Sequence, residues 1–353
     1  MNLYNKTGKE ELRKCLMVEP FKRITLSFYR YVRIDNLEIF RNNLYLDFDS
    51  LNIFGRVYLA HEGINAQISV PEPNWKMFEE IIYDNLKLRD VPFKFAIEDD
   101  GKSFYKLIVR LKNKIVADGL KDDAFDATNV GKHLSAKEFN EAVDTPNTLV
   151  IDMRNHYESE VGKFETALCP DADTFRDALP KAVEMAKGKE DHKILLYCTG
   201  GIRCEKASAF FKHHGFNDVN QLYGGIISYA HEIKEKNLSS KFIGKNFVFD
   251  DRLGEKITDE IISVCHQCGN SCNIHVNCAN PECHLLFIQC DECKDKMNGC
   301  CTRKCKDFIL LPLEEQKLLR KDQKKSGDRK NIYKSRLRPN LKLILLKEKN
   351  KFT

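Results

Sequence analysis

The stretch KILLYCTGGIRCEKA, residues 193–207, decides the fold of the middle of this chain. It opens with a short apolar run, which predicts a buried strand of a parallel sheet. Gly200 and Gly201 then allow a tight turn, and a helical pattern follows from Glu205. A thiol at this junction faces loop N–H groups and the positive end of a helix, which favour the thiolate. Cys198 is therefore predicted to be a reactive nucleophile, in preference to a buried structural cysteine.

The size of the loop after Cys198 separates two classes of protein. Tyrosine-phosphatase-like loops have five residues between cysteine and arginine, which makes them wide enough to cradle a phosphate. Here four residues lie between Cys198 and Arg203, namely Thr199, Gly200, Gly201 and Ile202. This smaller loop resembles the active loop of rhodanese domains, which carries a persulfide on its cysteine. Cys198 and Arg203 are the candidate catalytic residues, and the four between them are the active loop.

The flanking segments extend the resemblance to rhodanese domains. Residues 149–154 resemble the rhodanese strand that ends in Asp-x-Arg, so Asp152 and Arg154 are candidate supporting residues. Residues 222–226 resemble the last rhodanese strand and its turn into a helix. The chain departs from the pattern at residues 162–164, Gly-Lys-Phe in place of Gly-His-Ile. Cys204 is a candidate to resolve a persulfide or sulfenate on Cys198, or else an ordinary residue of the first helical turn.

The composition fits a globular protein with two or three domains. The chain has 353 residues, of which 42% are hydrophobic and 31% charged, so it can bury a sizeable core. No apolar run is long enough to span a bilayer, and residues 1–20 lack the apolar core of a signal peptide. We expect a cytoplasmic protein with no membrane contact. The composition points to no particular protein partner.

The cysteines are concentrated in one segment. Ten of the fourteen lie between Cys265 and Cys305, and in a reducing compartment such crowding indicates metal rather than disulfides. Two Cys-x2-Cys pairs predict a tetrahedral structural zinc site from Cys265, Cys268, Cys290 and Cys293. A second site is predicted from Cys278, Cys283, Cys301 and Cys305. His266, His275 or His284 could replace a thiolate, and an iron–sulfur cluster or unliganded thiols are the alternatives. A module this short needs the metal for its folding energy.

The apolar patterns divide the rest of the chain. Residues 22–125 read β-α-β-β-α-β, which predicts a ferredoxin-like (acylphosphatase-like) α+β domain. Its strands are expected at 23–34, within 55–70, at 93–97 and at 104–116, and its helices at 36–51 and 75–86. The fold class is thus α/β multidomain, with this domain, a rhodanese-like parallel α/β domain and a cysteine-rich zinc module. The expected boundaries are 1–128, 129–240 and 241–310, followed by a basic tail at 311–353.

The tail carries the most uneven charge. From residue 317 to the end, 14 Lys and Arg face three acidic residues, although the net charge of the whole chain is only +5. Such a tail attracts polyanions, nucleic acid above all, or is a solvated segment without a partner. We expect one short helix near residue 313, then basic coil, and an isolated apolar patch at 341–346. The candidate RNA-binding residues are Lys317, Arg320, Lys321, Lys324, Lys325, Arg329 and Lys330.

The combination of modules resembles one family more closely than it resembles rhodanese domains in general. The similar segments are residues 54–69, 99–104, 115–119, 152–158, 197–208 and 242–250, and the cysteine pattern between 266 and 301. In these segments the chain resembles the rhodanese-domain tRNA uridine 5-hydroxylases, the TrhO family. The resemblance covers about residues 20–320.

This resemblance implies an oxidoreductase of tRNA processing. It implies that the wobble uridine in the tRNA anticodon loop is hydroxylated at C5 to 5-hydroxyuridine, with molecular oxygen as cosubstrate. The sequence shows no flavin or haem motif. One hypothesis is that Cys198, as thiolate or as cysteine persulfide, adds to C6 of the uracil. The alternatives are a persulfide sulfurtransferase acting on tRNA or a thiol acceptor, and a non-catalytic RNA-binding adaptor, against which the intact loop argues.

Overall fold

The computed structural model describes residues 7–121, 125–325 and 339–349. The chain forms two compact units. The first comprises Met1–His156, Phe164–Lys241 and Val248–Lys256, and the second Tyr157–Lys163, Phe242–Phe247 and Ile257–Thr353. The first unit contains most of both predicted domains up to residue 240. None of the helices in the described ranges combines the length and hydropathy that crossing a bilayer requires.

The N-terminal domain is built on a five-stranded sheet with two helices packed on one face. Its elements are α1 (Lys9–Met17), β1 (Arg23–Tyr31), α2 (Leu37–Ser50), β2 (Phe54–Ala60), β3 (Gly63–Pro71), α3 (Trp75–Asp84), β4 (Lys94–Phe95) and β5 (Leu107–Leu111). The strand order is β4-β1-β3-β2-β5, in which β5 runs parallel to β2 and the other pairs are antiparallel. The first four strands have the order of a ferredoxin-like sheet, as predicted.

Alternation along the strands makes the core of this domain. Phe28 on β1 and Ile68 on β3 point toward the helices, where Phe48 of α2 and Phe78 of α3 pack against the sheet. The structure corrects the predicted ends of two strands. β1 stops at Tyr31, not 34, and β5 covers 107–111, not 104–116. Beyond β5 the N–H of Ile115 donates to a carboxylate, Glu62 Oε1, at 2.7 Å, so this apolar residue is buried outside the sheet.

The central domain is a parallel α/β structure, as predicted. Its elements are β6 (Lys132–Leu134), α4 (Ala136–Val143), β7 (Thr148–Asp152), α5 (His156–Ser159), β8 (Gly162–Phe164), α6 (Phe175–Ala186), β9 (Lys193–Tyr197), α7 (Ile202–His213), β10 (Asp218–Leu222) and α8 (Gly225–Glu235). Four strands pair in parallel in the order β6-β10-β9-β7. Ser135 caps α4 through a capping box with Glu138, as its sequence position predicted.

The remaining elements follow the central domain. They are β11 (Phe242–Asn246), β12 (Glu255–Lys256), β13 (His275–Asn277), β14 (Leu286–Ile288), α9 (Asp291–Met297), α10 (Arg303–Leu310), α11 (Leu313–Lys325) and α12 (Leu341–Lys349). β13 and β14 form an antiparallel hairpin. In the second unit the core consists of buried cysteines together with Leu285 and Phe287.

The C-terminal segment differs from its prediction. α11 extends to Lys325, so residues 320–325 lie in a helix rather than in coil, while residues 326–338, including Arg329 and Lys330, lie outside the described residues. The apolar patch at 341–346 is not isolated, because it forms the helix α12. Leu341 on α12 is 2% exposed and packs against the buried cysteines. Leu341 and Ile344 of the patch therefore belong to the core of the cysteine-rich module, whereas Leu343 and Leu346 are exposed.

Candidate active site and metal centres

Cys198 lies at the junction that its sequence predicted. It follows the buried strand β9 directly and is 1% exposed. The chain turns at Gly201, whose φ of +93° is one that residues with a side chain rarely adopt, and α7 begins at Ile202. This places the N–H of Gly201 3.1 Å from Cys198 Sγ, as a hydrogen-bond donor. The loop therefore directs a backbone donor at the sulfur, at the positive end of a helix.

The surroundings of Cys198 favour the thiolate. Burial alone would raise the pKa of the thiol. A hydrogen bond from the Cys204 thiol, the positive charge of Arg203 and the N–H groups of both residues outweigh burial, and they lower the pKa of Cys198 to about 6. Burial and the adjacent Cys198 sulfur raise the pKa of Cys204 well above its usual range. Cys204 thus stays protonated and acts as a hydrogen-bond donor, a role that the sequence did not specify.

Arg203 is held inside the active loop. Its Nη2 donates to Thr199 Oγ1 at 3.1 Å, its guanidinium lies 6.0 Å from the ring centre of Phe249, and the residue is 8% exposed. A buried, fixed guanidinium contributes a constant positive charge next to the sulfur, because it does not lose its proton in proteins.

The loop between β10 and α8 closes the active loop from the other side. The N–H groups of Ile226 and Ile227 donate to the carbonyls of Cys198 at 3.0 Å and Thr199 at 3.2 Å. A Cβ on Gly225 would lie 2.5 Å from the Cys198 carbonyl oxygen, and the φ of Gly225 is +68°. Only glycine fits there without moving the backbone, which explains the Gly224-Gly225 pair of the rhodanese-like segment.

Asp152 and Arg154 form an ion pair where β7 ends, next to the end of β9. Both are fully buried, and Arg154 Nη2 contacts Asp152 Oδ2 at 2.7 Å. The same carboxylate oxygen accepts a hydrogen bond from the Tyr197 hydroxyl at 2.7 Å. Because Tyr197 immediately precedes Cys198, this network fixes the end of β9 from which the active loop starts. A supporting role of these two residues in the reaction stays a prediction.

Nothing in the sequence indicated that the N-terminal domain contacts the active loop. Two tyrosines, two residues apart on β1, share the sheet face opposite the helices. The Tyr29 hydroxyl donates to Glu205 Oε1 at 2.9 Å, and the Tyr31 hydroxyl donates to the Ile202 carbonyl at 3.2 Å. Both bonds end on the first turn of α7. The period-two spacing of the tyrosines was the available signal, but it does not name their partner.

A buried lysine on α7 explains two of the family-like segments. Lys206 is 3% exposed, and its Nζ lies 2.8 Å from Glu62 Oε2 and 2.7 Å from Asp118 Oδ2. Glu62 belongs to the segment 54–69 and Asp118 to the segment 115–119. Two carboxylates offset the cost of burying one ammonium, so these segments join the N-terminal domain to α7.

The cysteine-rich module brings together both predicted sets of four thiols. In each set, Cys265, Cys268, Cys290 and Cys293, and Cys278, Cys283, Cys301 and Cys305, all sulfur atoms lie within 4.8 Å of one another. The Sγ–Sγ distance is 3.6 Å for Cys268 and Cys290, and also for Cys283 and Cys301. Sulfurs placed about 2.3 Å from a tetrahedral zinc ion lie about 3.8 Å apart, so the spacing fits that ion.

The other candidate ligands belong to neither set. Among the described residues, Cys272 and Cys300 are buried but belong to neither set, and no histidine joins either one. His266 instead contacts Glu160 at 2.7 Å, and His275 packs against Phe247 with ring centres 5.1 Å apart. Each candidate centre therefore consists of four sulfurs, which favours zinc or an iron–sulfur cluster over harder cations.

Comparison with known proteins agrees with this architecture. The family models that match are a UPF0176 acylphosphatase-like domain at residues 23–115, a rhodanese-like domain at 135–232 and a rhodanase C-terminal domain at 243–306. A Leptospira interrogans protein is 57% identical over 96% of this chain and 92% of its own length. A protein from Enterobacter sp. (strain 638) is 52% identical over 97% of each chain. Both are named tRNA uridine(34) hydroxylase.

The chain belongs to the tRNA uridine(34) hydroxylase family. The resemblance found in the sequence is thereby confirmed. Among solved structures, the chain is similar to a rhodanese-like domain from Anabaena sp., with 17% identity and a TM-score of 0.26, covering 33% of this chain and 80% of that one. A rhodanese-like domain protein from Staphylococcus aureus has 18% identity and a TM-score of 0.24, covering 28% and 90%.

In this member of the tRNA uridine(34) hydroxylase family, a cavity adjoins the contact between the first two domains. Its volume is about 780 Å³. The lining residues come from both domains and the linker between them; they include Tyr29, Tyr31, Arg33, His61, Glu205 and Lys206. The aromatic side chains in this lining suit a stacked base.

The pKa of Cys198 predicts how its reactivity depends on pH. Alkylation of Cys198 by iodoacetamide should rise as the pH increases through about 6 and reach a plateau near neutrality, because only the thiolate reacts. An ordinary cysteine would still be gaining reactivity above pH 8. Mass spectrometry of the peptide that contains residue 198, sampled from pH 4.5 to 9.5, measures the midpoint. A midpoint above 8 would show that the loop does not stabilise the thiolate.

Proposed function

We propose that this protein hydroxylates uridine 34 of tRNA at C5 to give 5-hydroxyuridine, with Cys198 as the nucleophile. One observation carries the proposal. A thiol with a pKa of about 6 is buried in a four-residue loop, in a chain that is 52–57% identical over nearly its full length to proteins named tRNA uridine(34) hydroxylase. A tRNA substrate, which the names of the relatives imply, supports a cytoplasmic location.

The geometry supports covalent addition to the base. C6 of uracil is electrophilic because the C5=C6 double bond is conjugated to the C4 carbonyl. When the Cys198 sulfur bonds to C6, the C5=C6 electron pair moves onto C5 and O4. C5 then becomes a nucleophilic carbon at the position where the hydroxyl group is to be attached. Arg203 and the N–H groups of the active loop stabilise the thiolate before it attacks C6, and they stabilise it again when the bond between sulfur and C6 breaks.

The burial of Cys198 determines how tRNA has to bind. A sulfur on a residue that is 1% exposed cannot reach a base that is stacked in the anticodon loop. The target uridine must turn out of the loop, which costs little in a single-stranded loop. We propose that the cavity beside Tyr29 and Tyr31 then holds an adjoining nucleotide by stacking. The first two domains would thus bind the anticodon loop together.

The basic C-terminal segment is the second surface that we propose to bind tRNA. Lys317 is exposed on α11, and most of the cationic residues that follow it in the sequence are unmatched by acidic ones. Phosphate contacts of this kind make affinity fall steeply as salt rises. Replacing Lys317, Lys324 and Lys325 with glutamine should weaken tRNA binding and flatten the dependence of log Kd on log salt concentration by about two to three units.

Charge substitution tests tRNA binding by this segment better than truncation does, because removing residues 317–353 would also remove Leu341 from the cysteine-rich core. Fluorescence anisotropy with labelled tRNA at 50–300 mM salt gives the slope. The matched control is Lys76→Gln, which removes an exposed lysine from α3 of the N-terminal domain. An unchanged slope in the triple variant would show that other residues of the protein bind the tRNA phosphates.

We propose zinc in both sulfur centres and molecular oxygen as cosubstrate. The fit of four sulfurs to a tetrahedral ion supports zinc, which would hold the module folded without taking part in the reaction. The oxygen source is open to direct test, since the new hydroxyl should carry the label when tRNA is modified under ¹⁸O₂. Incorporation of label from H₂¹⁸O instead would contradict the proposed cosubstrate.

A persulfide sulfurtransferase is the second candidate function. The observation in its favour is the active loop itself, whose four residues between Cys198 and Arg203 match the size of persulfide-carrying loops. Nucleoside analysis of tRNA from cells with and without the protein separates the two functions. Loss of 5-hydroxyuridine and its derivatives supports hydroxylation, whereas loss of a thiolated nucleoside supports sulfur transfer.

A further inference from the structure

A lysine from the N-terminal domain lies beside the active loop. Lys94 is one of the two residues of β4, and it is 6% exposed. Its Nζ lies 4.3 Å from the centre of the Tyr29 ring, over the face. In the described parts of the chain, the ammonium has no hydrogen-bond acceptor and no carboxylate within ion-pair distance, and it makes a cation–π contact with this ring.

The side chain of Lys94 is positioned by the folds of both domains. Lys94 is in register with Ser27 on β1, and the carbonyl of Phe95 accepts a hydrogen bond from His231 Nε2 on α8 at 3.0 Å. The stem of Lys94 then passes one glycine of the active loop and one of the loop between β10 and α8. A Cβ on Gly200 would lie 3.9 Å from Lys94 Cδ, and one on Gly224 would lie 3.6 Å from Lys94 Cε. The ammonium therefore lies at the loop that carries Cys198.

The charges around Lys94 come from three elements. Tyr29 lies on β1, Cys198 follows β9, and Glu205 lies on α7. Burial lowers the pKa of Lys94 to about 8, while the negative charges of Cys198 and Glu205 raise it. The Glu205 carboxylate already accepts hydrogen bonds from Tyr29 and Gln221 and contacts His133 at 3.0 Å. An ammonium buried without a direct anionic partner costs stability, and such a cost is typical of functional sites.

We propose that Lys94 is a catalytic residue, supplied by the N-terminal domain, whose ammonium stabilises the Cys198 thiolate and then takes the charge that develops on O4 of the uracil. The second role rests on the proposed function. It explains why no carboxylate among the described residues pairs with the ammonium, because the oxygen that takes its proton would be that of the substrate. A fixed cation in a water-poor site stabilises developing charge more strongly than the same group does in water.

The step balances without an oxidant. The Cys198 sulfur uses one electron pair to bond to C6, and the C5=C6 pair forms a new C4=C5 bond. The C4=O4 pair moves onto O4, which takes a proton from Lys94 Nζ. The thiolate and the ammonium are thereby converted to a thioether and a neutral amine, and the base becomes an enol that is nucleophilic at C5. A lysine with a pKa of about 8 can give up this proton near neutral pH.

The test separates the two roles with two substitutions. Lys94→Met keeps the apolar stem and removes the charge. It should raise the midpoint of Cys198 alkylation by about one pH unit and reduce kcat for 5-hydroxyuridine formation about 100-fold, with KM near that of the wild type. Lys94→Arg keeps a charge that cannot be given up as a proton. It should restore most of the alkylation midpoint but little of kcat. The control is Lys76→Met on exposed α3, which should match the wild type.

The alkylation assay needs no tRNA, so it stands apart from the proposed function. If the wild type makes no 5-hydroxyuridine but Lys94→Met still shifts the midpoint, then the proposed function is wrong and the pairing of Lys94 with Cys198 holds. If folded Lys94→Met protein, with an unchanged melting temperature, has the midpoint and the kcat of Lys76→Met, the proposal is overturned. A lowered melting temperature with both readouts unchanged would show a purely structural lysine.

Discussion

Cys198→Ser protein should form no detectable 5-hydroxyuridine, a loss on the order of 10⁴-fold or more, while keeping its fold. Serine is nearly the same size as cysteine, so the contacts of the 1%-exposed site persist. The hydroxyl, however, does not ionise near neutral pH, so the serine variant lacks the anionic nucleophile. Single-turnover assays with unmodified tRNA, analysed by nucleoside mass spectrometry, measure the loss. Full activity of the purified serine variant would remove Cys198 from the mechanism.

The comparison with Cys204 makes this result interpretable. Cys204 is fully buried, and its thiol is kept protonated by burial and by the adjacent Cys198 sulfur. Cys204→Ser retains a hydrogen-bond donor, so we expect a reduction of about 10-fold or less and a small rise in the alkylation midpoint of Cys198. If Cys204→Ser is as inactive as Cys198→Ser, the two cysteines act as a dithiol couple, and the single-nucleophile mechanism is wrong.

The active loop was predictable because its determinants are local. A buried strand, a pair of glycines and a helix start occur within fifteen consecutive residues, and each has a sequence signal that the structure follows. The same holds for the ferredoxin-like order of β1 to β4, since alternation and helix spacing show within each segment. The sequence misplaced strand ends such as that of β5, where a hydrogen bond to Glu62 competes with the ladder.

The partners of the active loop were not predictable, since they come from distant parts of the chain. Tyr29 and Glu205 are 176 positions apart, and Lys206 and Glu62 are 144 positions apart. A period-two pattern shows which face of β1 carries Tyr29 and Tyr31 but not what covers that face. Nothing in the sequence around Lys94 indicated that it is buried, because a lysine in a two-residue edge strand is usually exposed. Its burial follows only from the packing of α8 and the active loop around β4.

The cysteine-rich module shows the same division between local and distant signals. Spacing alone grouped eight cysteines correctly into the two clusters that the fold brings together. It did not show that Cys272 and Cys300 would be buried outside both clusters, or that Leu341, some forty residues beyond Cys300, would complete the core. A Cys-x2-Cys pair is a local turn that the spacing reveals. A core contact such as that of Leu341 depends instead on where a later helix packs.

Protein purified without chelators should contain two zinc ions per chain, and Cys301→Ser should lose one of them. Cys301 is fully buried, and its sulfur lies 3.6 Å from that of Cys283 and 3.8 Å from that of Cys305, so serine leaves three thiolates and an open position. A structural zinc contributes on the order of 10 kcal/mol to folding, more than a small module can lose. Residues 278–305 should therefore become susceptible to proteases and exchange amide hydrogens freely.

The matched control is Cys272→Ser, because Cys272 is a buried cysteine of the same module that belongs to neither cluster. It should keep two zinc ions and wild-type protection, which separates loss of metal from loss of a buried thiol. Elemental analysis gives the metal content, and hydrogen exchange of the 278–305 peptides gives the local stability. Iron and sulfide in place of zinc would identify a cluster instead. Absence of any metal, with all ten thiols titratable in the folded protein, would show that tightly packed cysteines alone hold this module together.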